Sequence, residues 1–361
     1  HNSSFFDDVL HSVPQAPDVI VFGFQEVIDL ESRRMTAKNV LLGGKKKGSG
    51  GTDSESGISE KVTGAYRRWY DRLVLAVKQA MPGGTTYSVV HTENLVGLFT
   101  CVFVKSEERA RFDDVAVTTI KRGMGGRYGN KGGIVARFVI GDSSICFINA
   151  HLAAGQNAVR RRNADIAAIL EDKSVFPPAE HPLAYVGGGD GTMILDHEFV
   201  FLNGDLNYRI DHRRDAIIAG IHAGDLSALL QHDQLLREIK FNRGCRLRGF
   251  SEGPITFKPT YKYDPLSDEY DSSEKHRSPA WCDRVLWRAR VASRVRQVNY
   301  QRYEVNVSDH RPVSAAFEVR VRMFDKARRE REKAVLQREW VEEEQRLLNA
   351  VAKFYVDQAL I

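Results

Sequence analysis

Phe199-Val200-Phe201-Leu202-Asn203-Gly204-Asp205-Leu206-Asn207-Tyr208-Arg209 joins a run of four apolar residues to a polar Gly-Asp-Leu-Asn corner. The apolar run reads as a strand buried on both faces, and it delivers the carboxylate of Asp205 and the amide of Asn207 to its end. Such a pair suits holding a water and a phosphate together. The same residue types also suit a plain Asx-turn. Working outward, strand patterns recur at 18–24, 87–91, 96–105, 115–121, 133–140 and 144–152, separated by short turns. Further strands are expected at 280–287, 301–307 and 313–323. Helical spacing of apolar residues marks 66–81, 156–171 and 226–241. Strands interleaved with helices but lacking regular βαβ alternation predict an α/β sandwich of two mostly antiparallel sheets covered by helices.

Two segments stand apart. Residues 43–57 are dominated by glycine, serine and lysine, too polar to bury themselves, so a disordered surface loop is expected over about 43–63. From 323 to 361 charges crowd the chain while Val335, Leu336, Trp340, Leu347, Val351 and Phe354 recur at helical spacing. One long amphipathic helix is expected there, separate from a catalytic domain at 1–322. It could pack on the domain or its neighbour, or serve a protein partner as a coiled coil.

Composition narrows the classes. The chain has 361 residues, 42% hydrophobic and 27% charged, enough for one sizeable core. A net charge of +5 weakly favours an anionic partner. The four cysteines form no CxxC pair, which argues against a zinc site and for reduced thiols in a cytoplasmic protein. No apolar run approaches the roughly 20 residues that cross a bilayer, so any membrane contact is expected to be peripheral.

Phosphate-ester hydrolysis needs a hard cation, a group that activates water, and donors for the phosphoryl oxygens. Glu26 ends a strand, as does His151 in Asn149-Ala150-His151-Leu152. Ser308-Asp309-His310-Arg311-Pro312 sets a carboxylate beside a histidine. Pro279-Ala280-Trp281-Cys282-Asp283-Arg284 places Asp283 at the start of an apolar strand, where its charge wants a partner such as a histidine. Basic and glycine-rich blocks follow the pattern of phosphate binding or of solvated hairpins: Arg122 to Gly133, Lys258 to Asp264, and Ser273-Glu274-Lys275-His276-Arg277.

Taken in order, Gln-Glu at 25–26, the Arg-Gly-Met-Gly-Gly-Arg-Tyr-Gly-Asn-Lys-Gly-Gly block at 122–133, Asn-Ala-His-Leu, Gly-Asp-Leu-Asn-Tyr-Arg, Pro-Thr-Tyr-Lys-Tyr-Asp, Pro-Ala-Trp-Cys-Asp-Arg and Ser-Asp-His-Arg-Pro-Val resemble the inositol polyphosphate 5-phosphatases. The resemblance covers about residues 17–319. It implies the four-layered, DNase I-like α/β sandwich of the exonuclease-endonuclease-phosphatase superfamily, and removal of a 5-phosphate by in-line attack of water with Mg2+. It further implies Glu26 as the metal ligand, Asp205 as the group that activates water, Asn207 as a phosphoryl holder, and His310, oriented by Asp283, on the scissile phosphate. His151 would donate to a phosphate oxygen, and Asp309 would sit beside the metal or its water. Tyr261, Lys262, Lys275 and Arg277 match positions that select a ring keeping its 4-phosphate. Arg127, Asn130 and Lys131 match a block near the substrate phosphates.

The family's opening strand, with its metal-binding asparagine, does not precede Phe24, and it is expected to lie before His1 in a longer polypeptide. The insert at 187–197 is expected to be a surface loop. A phosphoinositide lipid and a soluble inositol phosphate present the same headgroup, so both stand as substrates. Glu93 to Phe99 is either a membrane-facing loop or a buried strand entrance. A nuclease of the same superfamily and a non-catalytic phosphoinositide-binding module are the alternatives. The 4-phosphate residues and the lack of a groove-spanning basic surface argue against nucleic acid.

Overall fold

The computed structural model describes residues 6, 8–12, 15–28, 54–122 and 131–358, without the side chains of 54–62 and 326. The chain divides into two units, His1–Val321 and Arg322–Ile361.

In the first unit, β1 (Val19–Phe24), β2 (Tyr87–Leu95) and β3 (Leu98–Lys105) form a sheet in the order β1-β3-β2. A second sheet runs β4-β5-β6-β7-β8, from β4 (Phe112–Arg122), β5 (Lys131–Ile140), β6 (Ser143–His151), β7 (Phe199–Asp205) and β8 (Asp283–Ala289). Only the β6–β7 pair in it is parallel. β9 (Val295–Arg302) and β10 (Val313–Val319) form an antiparallel ribbon.

Side-chain alternation assigns the layers. Val19 and Val21 of β1 and Val102 and Val104 of β3 share a core with Ile145 and Phe147 of β6 and Phe199 and Phe201 of β7. The two sheets therefore pack face to face. Ile20 and Phe22, one residue out of step, turn the other way and meet Tyr66, Leu73 and Val77 of α1 (Ser54–Ala80). Cys146, Ile148, Val200 and Leu202 cover the far face of the five-stranded sheet. They meet Ile166, Ile169 and Leu170 of α2 (Val159–Leu170), with Leu235 among the same cluster. Helix, sheet, sheet and helix make the four layers expected.

Three expectations are corrected. Helix α1 begins at Ser54, so the expected disorder does not extend over 54–63; residues 43–53 lie outside the described residues. Ser54 and Glu55 are good helix starters, but Gly57 and the neighbouring polar residues hid the helix in the composition. The strand expected at 301–307 lies earlier, at Val295–Arg302; polar Gln297 and Asn299 hold its less exposed positions while Val298 is exposed, which blurs the alternation. The helical pattern at 226–241 is two helices, α4 (Leu226–Leu230) and α5 (Gln234–Phe241); Asp233 caps the second by accepting from Leu236 N at 2.9 Å. The helix α3 (Arg214–Ala223), unforeseen, precedes them.

The Glu93–Phe99 segment is the β2–β3 hairpin, and Leu95, Leu98 and Phe99 are buried, which removes it as a membrane-facing loop. All four cysteines are buried free thiols. No helix among the described residues is long and apolar enough to cross a membrane. The second unit is α6 (Lys326–Asp357), capped by Asp325, which accepts from Arg328 N at 3.0 Å.

Candidate active site

The site is built by register. His151 closes β6 and lies opposite Asp205, the last residue of β7, which lies opposite Asp283, the first of β8. Gly132, next to Lys131 at the start of β5, lies opposite His151. Four neighbouring strands thus set Lys131, His151, Asp205 and Asp283 in a row along one sheet edge. Backbone closeness here demands glycine. Gly204 has φ +141°, and a Cβ there would stand 2.0 Å from Ala150 O. A Cβ on Gly23 of β1 would stand 2.3 Å from Asn203 Nδ2.

Asp205 is buried and accepts from Asn207 N at 3.0 Å and Asn207 Nδ2 at 2.9 Å, while His151 Nε2 lies 3.2 Å from its Oδ2. Burial alone would raise its pKa, but the His151 contact and the charges of His310 and Lys131 outweigh that and hold the carboxyl well below its ordinary range. Asn207 takes φ +57°, a left-handed conformation asparagine tolerates, and its amide also donates to Leu152 O at 3.1 Å. The turn reading of Asp205 and Asn207 is therefore correct as geometry: the Asx-turn aims the carboxylate.

His310 Nδ1 meets Asp283 Oδ2 at 2.9 Å, and Thr260 donates to the same oxygen at 2.7 Å. Burial pushes the imidazole pKa down, but Asp283, followed by Asp205 and Asp309, outweighs burial and raises it to about 9. At neutral pH His310 is an imidazolium. Its Nδ1 is committed to Asp283, which leaves Nε2–H as the donor. The next residue, Arg284, is fully buried between Asp233 at 3.0 Å and Glu252 at 2.6 Å, anchoring the strand that carries Asp283.

Glu26, at φ +54°, presents a carboxylate whose side chain is 77% exposed, with Oε1 3.7 Å from His151 Nε2. Its neighbour Gln25 donates to Asn149 Oδ1 at 2.6 Å. Asn149 in turn donates across the sandwich to Phe24 O, Phe99 O and Thr100 Oγ1 at 3.0–3.2 Å. That buried amide ties the Glu26 corner to the sheet carrying His151. Lys131 Nζ contacts His151 Nε2; its burial lowers its pKa against the opposing pull of Asp205 and Glu26.

Lys262 Nζ pairs with Asp309 Oδ2 at 2.7 Å, so Asp309 is held by the lysine of the Tyr-Lys pair. His310 first and Lys262 next hold its pKa down against burial. Lys275 and Arg277 are exposed on the loop that leaves Tyr261 and returns to pair Ala280 with it. Arg127 and Asn130 lie outside the described residues. Sequence reasoning gave no role to Arg209, Thr260 or Asn149, although each sits inside a motif block: Thr260 and Asn149 have partners distant in sequence, and Arg209, bonded to nearby Asn207, meets the ring of Tyr261 only in the fold.

The family model described as endonuclease/exonuclease/phosphatase family 2 matches residues 2–316. The chain belongs to that family. Among curated family relatives, a probable inositol polyphosphate 5-phosphatase of Schizosaccharomyces pombe is 46% identical over 90% of this chain and 27% of its own length. Synaptojanin of Caenorhabditis elegans is 35% identical over 84% of this chain and 24% of its own length. The chain thus spans about a quarter of the length of these relatives. Among solved structures of the family's fold, the inositol polyphosphate 5-phosphatase domain of SPsynaptojanin, in complex with inositol (1,4)-bisphosphate and calcium ion, matches with TM-score 0.69 and 28% identity. The match covers 96% of this chain and 87% of that one.

As to the metal this family fold implies, no group of three or more His, Cys, Asp or Glu is gathered at one point among the described residues. Glu26 instead offers one open carboxylate. It fits Mg2+, which keeps several waters and is held by one or two carboxylates together with substrate phosphate.

Proposed function

We propose that the chain is a Mg2+-dependent phosphomonoesterase that removes the 5-phosphate from an inositol ring carrying a 4-phosphate. The observation that carries this reading is the pairing of opposite charge states at one end of the sheet: anionic Asp205 at the end of β7, and an imidazolium His310 locked by Asp283, the first residue of the adjacent β8.

Asp205, oriented by two hydrogen bonds from Asn207, accepts the proton of the attacking water. His310 Nε2–H and His151 donate to the phosphoryl oxygens, stabilising charge that grows as water attacks in line. Asn207 keeps water and phosphoryl group in one orientation, because its amide is fixed on both Asp205 and Leu152 O. Glu26 holds the divalent cation, whose chemistry is to offset charge on the phosphate and on the departing inositol oxygen. Lys262, Lys275 and Arg277 supply cations for the 4-phosphate, and the cations of Lys131 and Arg127, with the neutral amide of Asn130, serve the remaining phosphate oxygens.

We place the reaction at the cytoplasmic face of a membrane, on phosphoinositide headgroups. Two exposed aliphatic residues support this: Leu266, 77% exposed, on the Lys262–Arg277 loop, and Val307, 56% exposed. They are brought near each other by the Leu266 N to Asn306 O hydrogen bond of 2.6 Å. Apolar tips beside cations are what an anionic lipid surface attracts.

The test is Mg2+-dependent phosphate release from phosphatidylinositol 4,5-bisphosphate vesicles, soluble inositol 1,4,5-trisphosphate and abasic-site DNA, with Asp205→Ala as control. Release from an inositol substrate that vanishes in the control is expected, faster from vesicles. Turnover of neither inositol substrate overturns the reading, in favour of a nuclease if DNA is cut and of a binding module if nothing is.

A further inference from the structure

Tyr261, matched above to a 4-phosphate-selecting position, is 8% exposed, so most of its ring is packed. Its ring touches two groups of the machinery. The Arg209 guanidinium lies over it, Cζ 4.1 Å from the ring centroid. The His310 imidazole lies against it at 4.8 Å between centroids. Backbone pairing fixes the ring in place: Tyr261 bridges both Ala280 and His310. Arg209 in turn donates through Nε to Asn207 O at 3.1 Å and through Nη2 to Asn207 Oδ1, while its backbone N donates to Gln234 Oε1 at 2.9 Å. Asn207 is the residue that orients Asp205.

A ring face attracts cations, and Arg209 and, farther off, Lys262 lie over this one while the His310 imidazole packs against it. Arg209 acts through Asn207 on the water-activating carboxylate, and His310 is the donor to the phosphate. We propose that Tyr261 is a positioning residue, whose ring seats Arg209 and His310 together and so fixes the distance between the Asp205–Asn207 pair and His310. Lys262, next in sequence and paired with Asp309, also lies over this ring, Nζ 5.9 Å from its centroid.

The inference rests on the phosphatase reading. Its test is steady-state phosphate release from soluble inositol 1,4,5-trisphosphate with Mg2+ for wild type, Tyr261→Phe, Tyr261→Leu and Arg209→Lys, each checked by thermal unfolding. Phe keeps the ring face, and kcat is expected within about threefold of wild type; Leu removes it, and kcat should fall about 30-fold with KM within about threefold, since a small displacement of catalytic groups costs up to about 100-fold. Arg209→Lys keeps the charge but loses the fork that holds Asn207 twice, so a fall in kcat of about tenfold is expected at unchanged KM. That variant decides the matter if the Leu protein does not fold. A rise in KM alone for Leu, a loss in Phe equal to that in Leu, or an unchanged kcat in Arg209→Lys overturns the proposal while the phosphatase stands. An inactive, folded wild type overturns both.

Discussion

The strand-end row and the loop that follows it, both rich in charge, are built in opposite ways. His151, Asp205 and Asn207 are each less than a tenth exposed and hydrogen-bonded before any ligand arrives. Lys275 and Arg277 stand in solvent, tethered through backbone contacts such as Arg277 N to Asp271 Oδ2 at 2.7 Å. Groups that must act on a transition state gain from being fixed in a water-poor setting, since their orientation is then paid before the reaction begins. Groups that must let a polyanion in and out gain from staying hydrated. On the function proposed, the comparison teaches that chemistry belongs to the strand ends and recognition to the loop, with Tyr261 at the joint.

The division breaks most severely at Asp205. Asp205→Asn keeps the size and most hydrogen bonds but removes the proton acceptor, so kcat is expected to fall about 10³-fold with KM nearly unchanged. A loss smaller than about tenfold would show that another group activates the water. Asp283→Asn comes next, with a fall in kcat of about 100-fold, and it carries a pH signature. In the wild type, His310 is raised to about 9, so kcat/KM should hold through neutral pH and fall as pH rises through about 9. Without the carboxylate, that limb should move down towards the ordinary histidine value of about 6.5. The sign for stability is the same. The Asp283–His310 pair stabilises the fold fully below about 6.5, and that contribution is lost as pH rises through about 9. A limb that stays put in Asp283→Asn would detach His310 from the profile.

Much of this was legible in the sequence, and the parts that were not share a cause. The apolar runs at Val19–Phe24, Lys131–Ile140 and Phe199–Asp205 announce buried strands, because a strand covered on both faces has no polar positions to blur it. Half-covered elements were harder to place. Val295–Arg302 carries Gln297 and Asn299 at its less exposed positions and Val298 at an exposed one, and Arg214–Ala223 buries only Ile217 and Ile221. Within the site, motif blocks led to Asp205, Asp283 and His310. They did not reveal that Thr260 and His310 would share one oxygen of Asp283, or that Asn149 would reach Gln25 across 124 residues. Pairings of that kind are set by sheet register, and register arises only when both strands are in place.

The smallest expected effect lies in the loop and tests the other half of the comparison. Lys275→Ala and Arg277→Ala each remove one hydrated cation, so each should raise KM about three- to tenfold and leave kcat within about twofold. Because these cations are exposed, their contribution is screened, and the wild-type advantage should shrink as ionic strength rises from about 0.05 to 0.5 M. The unfolding temperature should stay within about 1 °C, since surface substitutions away from packed contacts change stability little. Substrates sharpen the result further. On an inositol phosphate lacking the 4-phosphate, wild type and both variants should converge in KM, because the group the cations recognise is gone. A variant that lost kcat and kept KM would place Lys275 or Arg277 with the strand-end row, and the separation of chemistry from recognition would then fail at that residue.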